Sequence, residues 1–394
     1  MEKRKSFALG MLIGVIVMVL LNLGLAPLRT HRVWGSPLSP EAKIMEIYSI
    51  LEAHSIIPVE RNVLIDNMFR GMLEGVGDPY TYYFNREALA LFLERNAGTY
   101  AGIGMLVTID PADSRVTVVN VFEGSPAYEA GLLPGDKIMQ VDGDCVADKR
   151  LEEVTALVKG PPGTQVRLVM LRGEENFNIM ITRQQINVPT TSHRMLEEGV
   201  GVLRIDSFEG VTYNQFVAAY LDLRNQDLRG LIIDLRNNPG GSLDSVVDIS
   251  NLLLPSGSIL YVENKQGERR VYASDNDRRI DVPLVVLVNG GSASASEVLT
   301  GAVRDHGVAT IVGEQTFGKG VVQAIHPLRD GSAVKITIAK YYTPNNISIH
   351  GEGITPDYVV EVDRMTSFMA ARLSFDEDVQ MQKAFEIMLG KLAE

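Results

Sequence analysis

One cysteine and one tryptophan in 394 residues leave several common designs out of reach. Cys145 alone cannot build an intrachain disulfide framework or a cysteine-based zinc cluster. Six scattered histidines show no HExxH spacing, so no metal centre is written into the chain and no cofactor is called for. Basic residues are outnumbered, 37 Lys and Arg against 49 Asp and Glu, for a formal charge of -12. Nucleic acid is a poor partner for such a balance, because its binding needs a basic face. Internal repeats and low-complexity tracts are also lacking.

A long apolar run is present at the N-terminus. Lys3, Arg4 and Lys5 precede a stretch from Phe7 to Leu28 that only glycines, Asn22 and Pro27 interrupt. About 20 apolar residues span a bilayer, and basic residues before them favour a cytoplasmic N-terminus. Residues 1–36 are therefore expected to be a single-helix membrane anchor and its linker, with the remainder outside the cytoplasm. A cleaved, secreted form is the competing reading. Gly24-Leu25-Ala26 is the nearest thing to a cleavage site, and Pro27 after it disfavours cleavage.

From Glu41 to Asn96 the pattern is helical, with Ile44, Ile47, Tyr48 and Leu51 at i, i+3, i+4 and i+7. A turn is expected at Gly77-Asp78-Pro79-Tyr80 and another helix from Asn85 to Asn96. Residues 37–96 thus read as a small helical domain whose amphipathic helices could pair two copies of the chain. From Gly98 short β runs alternate with glycines. The segment SPAYEAGLLPGDKIMQVDG, Ser125 to Gly143, resembles a PDZ domain over most of its length, and residues 97–185 are expected to form one. That resemblance implies that a protein C-terminus adds as a strand to a sheet edge while loop N–H groups hold its carboxylate. The loop would be Gly102-Ile103-Gly104, with Met105 and Val107 opening the binding strand.

Residues 186–365 alternate strands and helices, the pattern of an α/β core with helices packed on a sheet. Strands are expected at Val200–Ile205, Leu231–Leu235, Pro283–Val288 and Ala309–Val312, with helices at Tyr213–Arg224 and Leu243–Leu253. Residues 366–394 read as a helical tail. The expected fold class is α+β and multidomain: anchor, helical domain, β-barrel-like PDZ domain and α/β core.

Two short stretches in the core can carry chemistry. Ser294-Ala295-Ser296-Glu297 fits S-x-x-E, a capping box. The same helix N-terminus also favours an anion and leaves the Ala295 N–H free to donate. Lys319 sits between Gly318 and Gly320, among Phe317, Val321 and Val322. A lysine near its ordinary pKa of about 10.4 cannot take a serine proton at neutral pH, whereas burial lowers that value. If a strand follows, Lys319, Val321 and Gln323 share a face, and Gln323 could orient the lysine. A cap and a surface lysine in a hairpin are the competing readings of these two stretches taken singly. A Ser-His-Asp triad would draw on His306 or His350, with Asp305 or Asp357.

Together, SASASE, TFGKGVVQ and LRNNPGG resemble the carboxyl-terminal processing peptidases, the S41-type serine proteases. The resemblance spans residues 40 to 365 and implies a crotonase-like peptidase core. It implies Ser294 as nucleophile, Lys319 as general base and Gln323 as the associated glutamine. It further implies an oxyanion hole from the Ala295 N–H with that of Gly240 or Gly241. The activity expected is serine endopeptidase cleavage near the C-termini of protein substrates, with the PDZ segment capturing the terminus and moving between blocking and engaged positions. Two other classes compete: an inactive PDZ scaffold, and a hydratase-like enzyme using the oxyanion hole on a thioester.

Overall fold

The computed structural model describes residues 38–275 and 280–394. The expected anchor, residues 7–28, lies outside the described residues, and among these no helix is long and apolar enough to cross a membrane. The chain divides into two units at Phe69/Arg70.

In the first unit α1 (Pro40–His54) begins at Ser39, whose Oγ accepts from the Ala42 N–H at 3.3 Å, with proline in its favoured first position. The second helix, α2 (Arg61–Glu74), runs across the division. Neither buries a side chain: Ile44, Ile47 and Leu51 keep their helical spacing yet stay exposed. Ile47 and Leu51 line an apolar groove with Leu64 and Met68.

The second unit starts with a departure from the sequence pattern. Between the expected turn at Gly77–Tyr80 and the helix expected from Asn85, in a region read as a helical domain, Tyr82–Phe84 form a strand, β1, before α3 (Arg86–Ala97). The reason is tertiary: β1 pairs antiparallel with residues 333–335 of a sheet formed far along the chain. Next, β2 (Thr99–Gly102) pairs with β9 (Gln184–Asn187) and frames the β-rich segment. That segment contains β3 (Met105–Ile109), β4 (Val116–Val121), the one-turn α4 (Pro126–Glu129), β5 (Lys137–Val141), β6 (Asp144–Cys145), α5 (Leu151–Val158), β7 (Gln165–Arg172) and β8 (Glu175–Thr182). Its sheet runs β3-β4-β5-β7-β8, and Val118, Ile138, Val154, Leu168 and Met170 fill the core beneath α5.

The α/β core is a six-stranded sheet ordered β10 (Thr191–Met195), β11 (Val200–Ile205), β12 (Gly230–Asp234), β15 (Leu284–Val288), β16 (Ala309–Gly313) and β19 (Tyr358–Val359). All of these pair in parallel except the first. Parallel strands are buried on both faces, which is why Leu231–Ile233 and LVVLV are continuously apolar. One face packs α6 (Thr212–Asn225), α7 (Leu243–Leu253) and α8 (Ala295–Asp305) against Ile205, Ile233, Val286 and Ile311. The other packs α10 (Val379–Ala393), after the short α9 (Arg364–Met369), against Val202, Ile232, Val285 and Leu287. A second sheet joins β13 (Gly257–Asn264), β14 (Arg269–Ser274), β17 (Val321–Pro327) and β18 (Ala333–Tyr342) to β1.

Candidate active site

The carboxyl ends of β12 and β15 lie side by side in register, Asp234 opposite Leu287. The loops that leave them, 235–242 and 289–294, are stitched together by side chains. Ser292 Oγ donates to Leu235 O at 2.8 Å, and the Asn237 N–H donates to Asn289 Oδ1 at 2.8 Å. The Asn238 carbonyl accepts from the Ala293 N–H at 3.0 Å and from Ser296 Oγ at 2.9 Å. Serines flanking Ser294 are thus consumed in holding the turn.

Ser294 itself is left half-exposed, with φ 55° and ψ −112°. A helix N-cap ordinarily takes extended backbone, so this conformation is strained and is held by its surroundings. Gly240, at φ 96°, sits so close that a Cβ would lie 2.8 Å from Ser294 Cβ and 2.7 Å from Ala293 O. Any side chain there would push the two loops apart. The Gly240 N–H donates to Asn238 Oδ1 at 2.9 Å, while the N–H groups of Gly241 and Ala295 have no acceptor among the described residues.

Glu297 does more than cap. Fully buried, it accepts from the Ser294 N–H at 2.9 Å, and also from the Lys319 N–H at 2.8 Å, the Gly318 N–H at 2.7 Å and Thr316 Oγ1 at 2.6 Å. The carboxylate therefore ties the lysine loop to the serine turn. From the opposite side the buried Tyr341 hydroxyl reaches the carbonyls of both Ser294, at 3.0 Å, and Lys319. Burial pushes that phenol well above its ordinary pKa, which keeps it a donor.

Ser294, Lys319, Gln323, Gly240, Gly241 and Ala295 all line one cleft of ≈ 430 Å³. Lys319 is half-buried, and burial is the main cause that pulls its amine below the ordinary lysine range. The charge of Lys335 acts in the same direction, while Asp78 and Glu297 oppose it. Its Nζ lies 4.7 Å from the centre of the Tyr80 ring, and among the described residues no hydrogen bond joins it to Ser294. Gln323 lines the cleft with Lys319, and no hydrogen bond joins the two among the described residues. A bulge between Val322 and Gln323 breaks the strand alternation, and the amide donates to Val321 O at 3.1 Å.

The histidine alternatives are placed elsewhere. His306 caps the far end of α8, about 16 Å of helix from Ser294, and its Nε2 contacts Ser258 O at 2.8 Å. His350 packs its backbone against Gly320 and does not line the cleft.

Sequence reasoning missed a second layer beneath the 235–242 loop. Arg236, buried, makes paired contacts to Asp234 at 2.9–3.0 Å and to Asp378, at the start of α10, at 2.8 Å through both of its terminal nitrogens. Burial alone would raise the Asp234 carboxyl, but the adjacent Arg236 and Arg204 hold it below its usual range. Spacing two apart at a strand end hinted at Asp234–Arg236; nothing local pointed to a partner 142 positions on. Asp378→Ala is expected to destabilise the protein by about 1–3 kcal/mol, because the buried Arg236 guanidinium loses one of its two carboxylates while keeping Asp234. Chemical denaturation against the parent protein checks this.

The β-rich segment has a groove of its own. Gly102, Ile103, Met105 and Val107 line it with Val154, Thr155 and Val158 of α5. Gly104 is not in the groove wall but turns the loop at φ 85°, where a Cβ would meet Ser125 Cβ at 2.2 Å.

Comparison with known proteins fits this arrangement. Residues 199–360 match the model of peptidase family S41, and residues 117–172 match a PDZ domain. A carboxyl-terminal-processing protease of Synechocystis sp. is 38% identical over 82% of this chain and 76% of its own. The chain belongs to the S41 peptidases. Another relative, the carboxy-terminal processing protease CtpA of Bacillus subtilis strain 168, is 34% identical over 81% of this chain and 69% of its own. A solved photosystem II D1 C-terminal processing protease is 30% identical, covering 88% of this chain and 92% of that one, with a TM-score of 0.49. This S41 peptidase is a hydrolase, a serine-type carboxyl-terminal processing protease. The scaffold and hydratase readings give way to that class.

Proposed function

We propose that this peptidase cleaves proteins near their C-termini with a Ser294–Lys319 dyad, and that the PDZ groove selects the substrate by its free terminus. What carries the reading is the pair of clamps, Glu297 and Tyr341, that fix the strained Ser294 turn against the Lys319 loop in one cleft. Lys319, once neutral, takes the Ser294 proton as Oγ attacks the scissile carbonyl. The oxyanion is received by the Ala295 N–H and by the Gly240–Gly241 segment. In that segment Gly241 is already unengaged, and Gly240 would exchange its Asn238 contact. The lysine returns the proton to the leaving amine, then activates the water that releases the acyl product. Gln323 lines the same cleft and would turn toward Lys319 when substrate is bound.

Met105 and its neighbours would pair with the incoming C-terminal strand, and the apolar groove fits an apolar last residue. Product masses from wild type and Ser294→Ala, compared in the native host, test the function. Loss of C-terminal trimming in the variant is expected; unchanged products would reject it.

Two further features rest on the sequence and on the first unit. The Phe7–Leu28 run would anchor the enzyme outside the cytoplasm, which membrane fractionation with protease protection tests. The exposed apolar faces of α1 and α2 would join a second copy; a monomer at micromolar concentration in sedimentation would refute that.

A further inference from the structure

A second lysine stands in the cleft. Lys335 lies on β18 opposite Ile325 of β17, and both line the same cavity as Ser294 and Lys319. Its ammonium lies 5.7 Å from the centre of the Phe84 ring and 5.4 Å from that of Phe92. Phe84 comes from β1, whose pairing sets Tyr82 beside Lys335. No ion pair or hydrogen bond among the described residues engages the Lys335 amine. The rings of Phe84 and Phe92 hold the cation by their π faces.

A half-buried, unpaired lysine is costly on a strand, and the core gains nothing from it. Its position makes sense beside a base that must be neutral. We propose that Lys335 is a positioning cation of the dyad, held on the Phe84–Phe92 shelf so that its charge disfavours a second ammonium at Lys319. This rests on Lys319 being the base. Every charged or titratable group facing Lys319 enters the balance. Asp78 and Tyr80 come from the turn before β1, Glu297 from α8, Tyr341 and Lys335 from β18, and His350 flanks Gly320. Asp78 and Glu297 favour the charged amine, and Lys335 opposes them together with burial. Two like charges facing one cleft repel, and the ammonium of Lys335 therefore lowers the Lys319 pKa.

The sign follows directly. Only the neutral amine can accept the serine proton, so activity rises as pH climbs through the Lys319 pKa. Removing the Lys335 charge raises that pKa and moves the acidic limb to higher pH.

The test is the pH profile of kcat/KM from pH 5 to 10. Wild type, Lys335→Met, Lys335→Arg and Lys319→Met are compared on a quenched peptide with a free apolar C-terminus and on its C-terminal amide. Labelling of Ser294 by a fluorophosphonate at pH 10 reports an intact site. Lys335→Met should shift the limb upward by about one unit, lose about tenfold below the limb and recover at pH 10. Lys335→Arg should overlay wild type. An unshifted limb overturns the proposal. So does an unshifted limb with a lost preference for free acid over amide, which would make Lys335 a carboxylate anchor. Inactivity and absent labelling at every pH in both Lys335 variants would also overturn it, as a merely structural role. If Lys319→Met keeps wild-type activity and its limb, the dyad reading itself fails, a result separable from all of these.

Discussion

Lys319→Met is expected to lower kcat/KM by about 10⁴-fold or more while leaving KM within a few fold. The substitution keeps most of the length and apolar volume of the side chain, so the loop between Thr316 and Val321 should stay in place. Its backbone N–H remains on Glu297 and its carbonyl on Tyr341, because neither contact uses the side chain. What disappears is the acceptor for the Ser294 proton. The loss should not be rescued by raising the pH, since the other amine lining the cleft, Lys335, is held on the Phe84 and Phe92 rings. Steady-state kinetics on a peptide with a free apolar terminus, read from pH 6 to 10, provides the check. Residual activity within about tenfold of wild type would mean that another group is the base.

The second large effect belongs to Glu297. In Glu297→Ala, the N–H groups of Ser294, Gly318 and Lys319 and the Thr316 hydroxyl lose their acceptor together. Buried donors left unpaired cost about 1–3 kcal/mol each, so the variant is expected to be strongly destabilised. Glu297→Gln is the more informative change. It keeps one acceptor oxygen but turns an NH₂ group toward donors, which must move away. Displacement of about 1 Å between reacting groups costs about 10²-fold, so kcat should fall by roughly 10²–10³ with little change in KM. A structural role confined to capping α8 would instead lower the melting temperature and leave kcat near wild type. Thermal melts run beside the kinetics separate the two.

Much of this site could be read in the sequence because its pieces are short and local. LVVLV followed by small residues and an apolar-faced helix is a buried strand, a tight turn and α8, and each forms where its periodicity places it. The glycines around Lys319 marked a loop that could approach another backbone, and Gly318 and Gly320 do pack against residues 350–353. What escaped detection depends on partners distant in the chain. Glu297 reads as a cap at i+3 of Ser294, yet three of its four donors lie 19 to 22 positions on. Tyr82–Phe84 is too short to show alternation and is a strand because residues 333–335 offer an edge. A period of two places Gln323 on the face of Lys319, and the bulge beside it interrupts that period. Lys335 carries no local signal, because its meaning lies in the rings of β1 and α3 and in the amine across the cleft.

The central claim is that Ser294 is acylated with Lys319 as its base. Rapid acid quench of a single turnover, followed by peptide mass mapping, measures it most directly. An acyl adduct on Ser294 in the wild type, forming faster as pH rises through the Lys319 pKa and absent in Lys319→Met, is the predicted result. An adduct on another residue, or one that forms on Ser294 at the same rate in Lys319→Met, would contradict it.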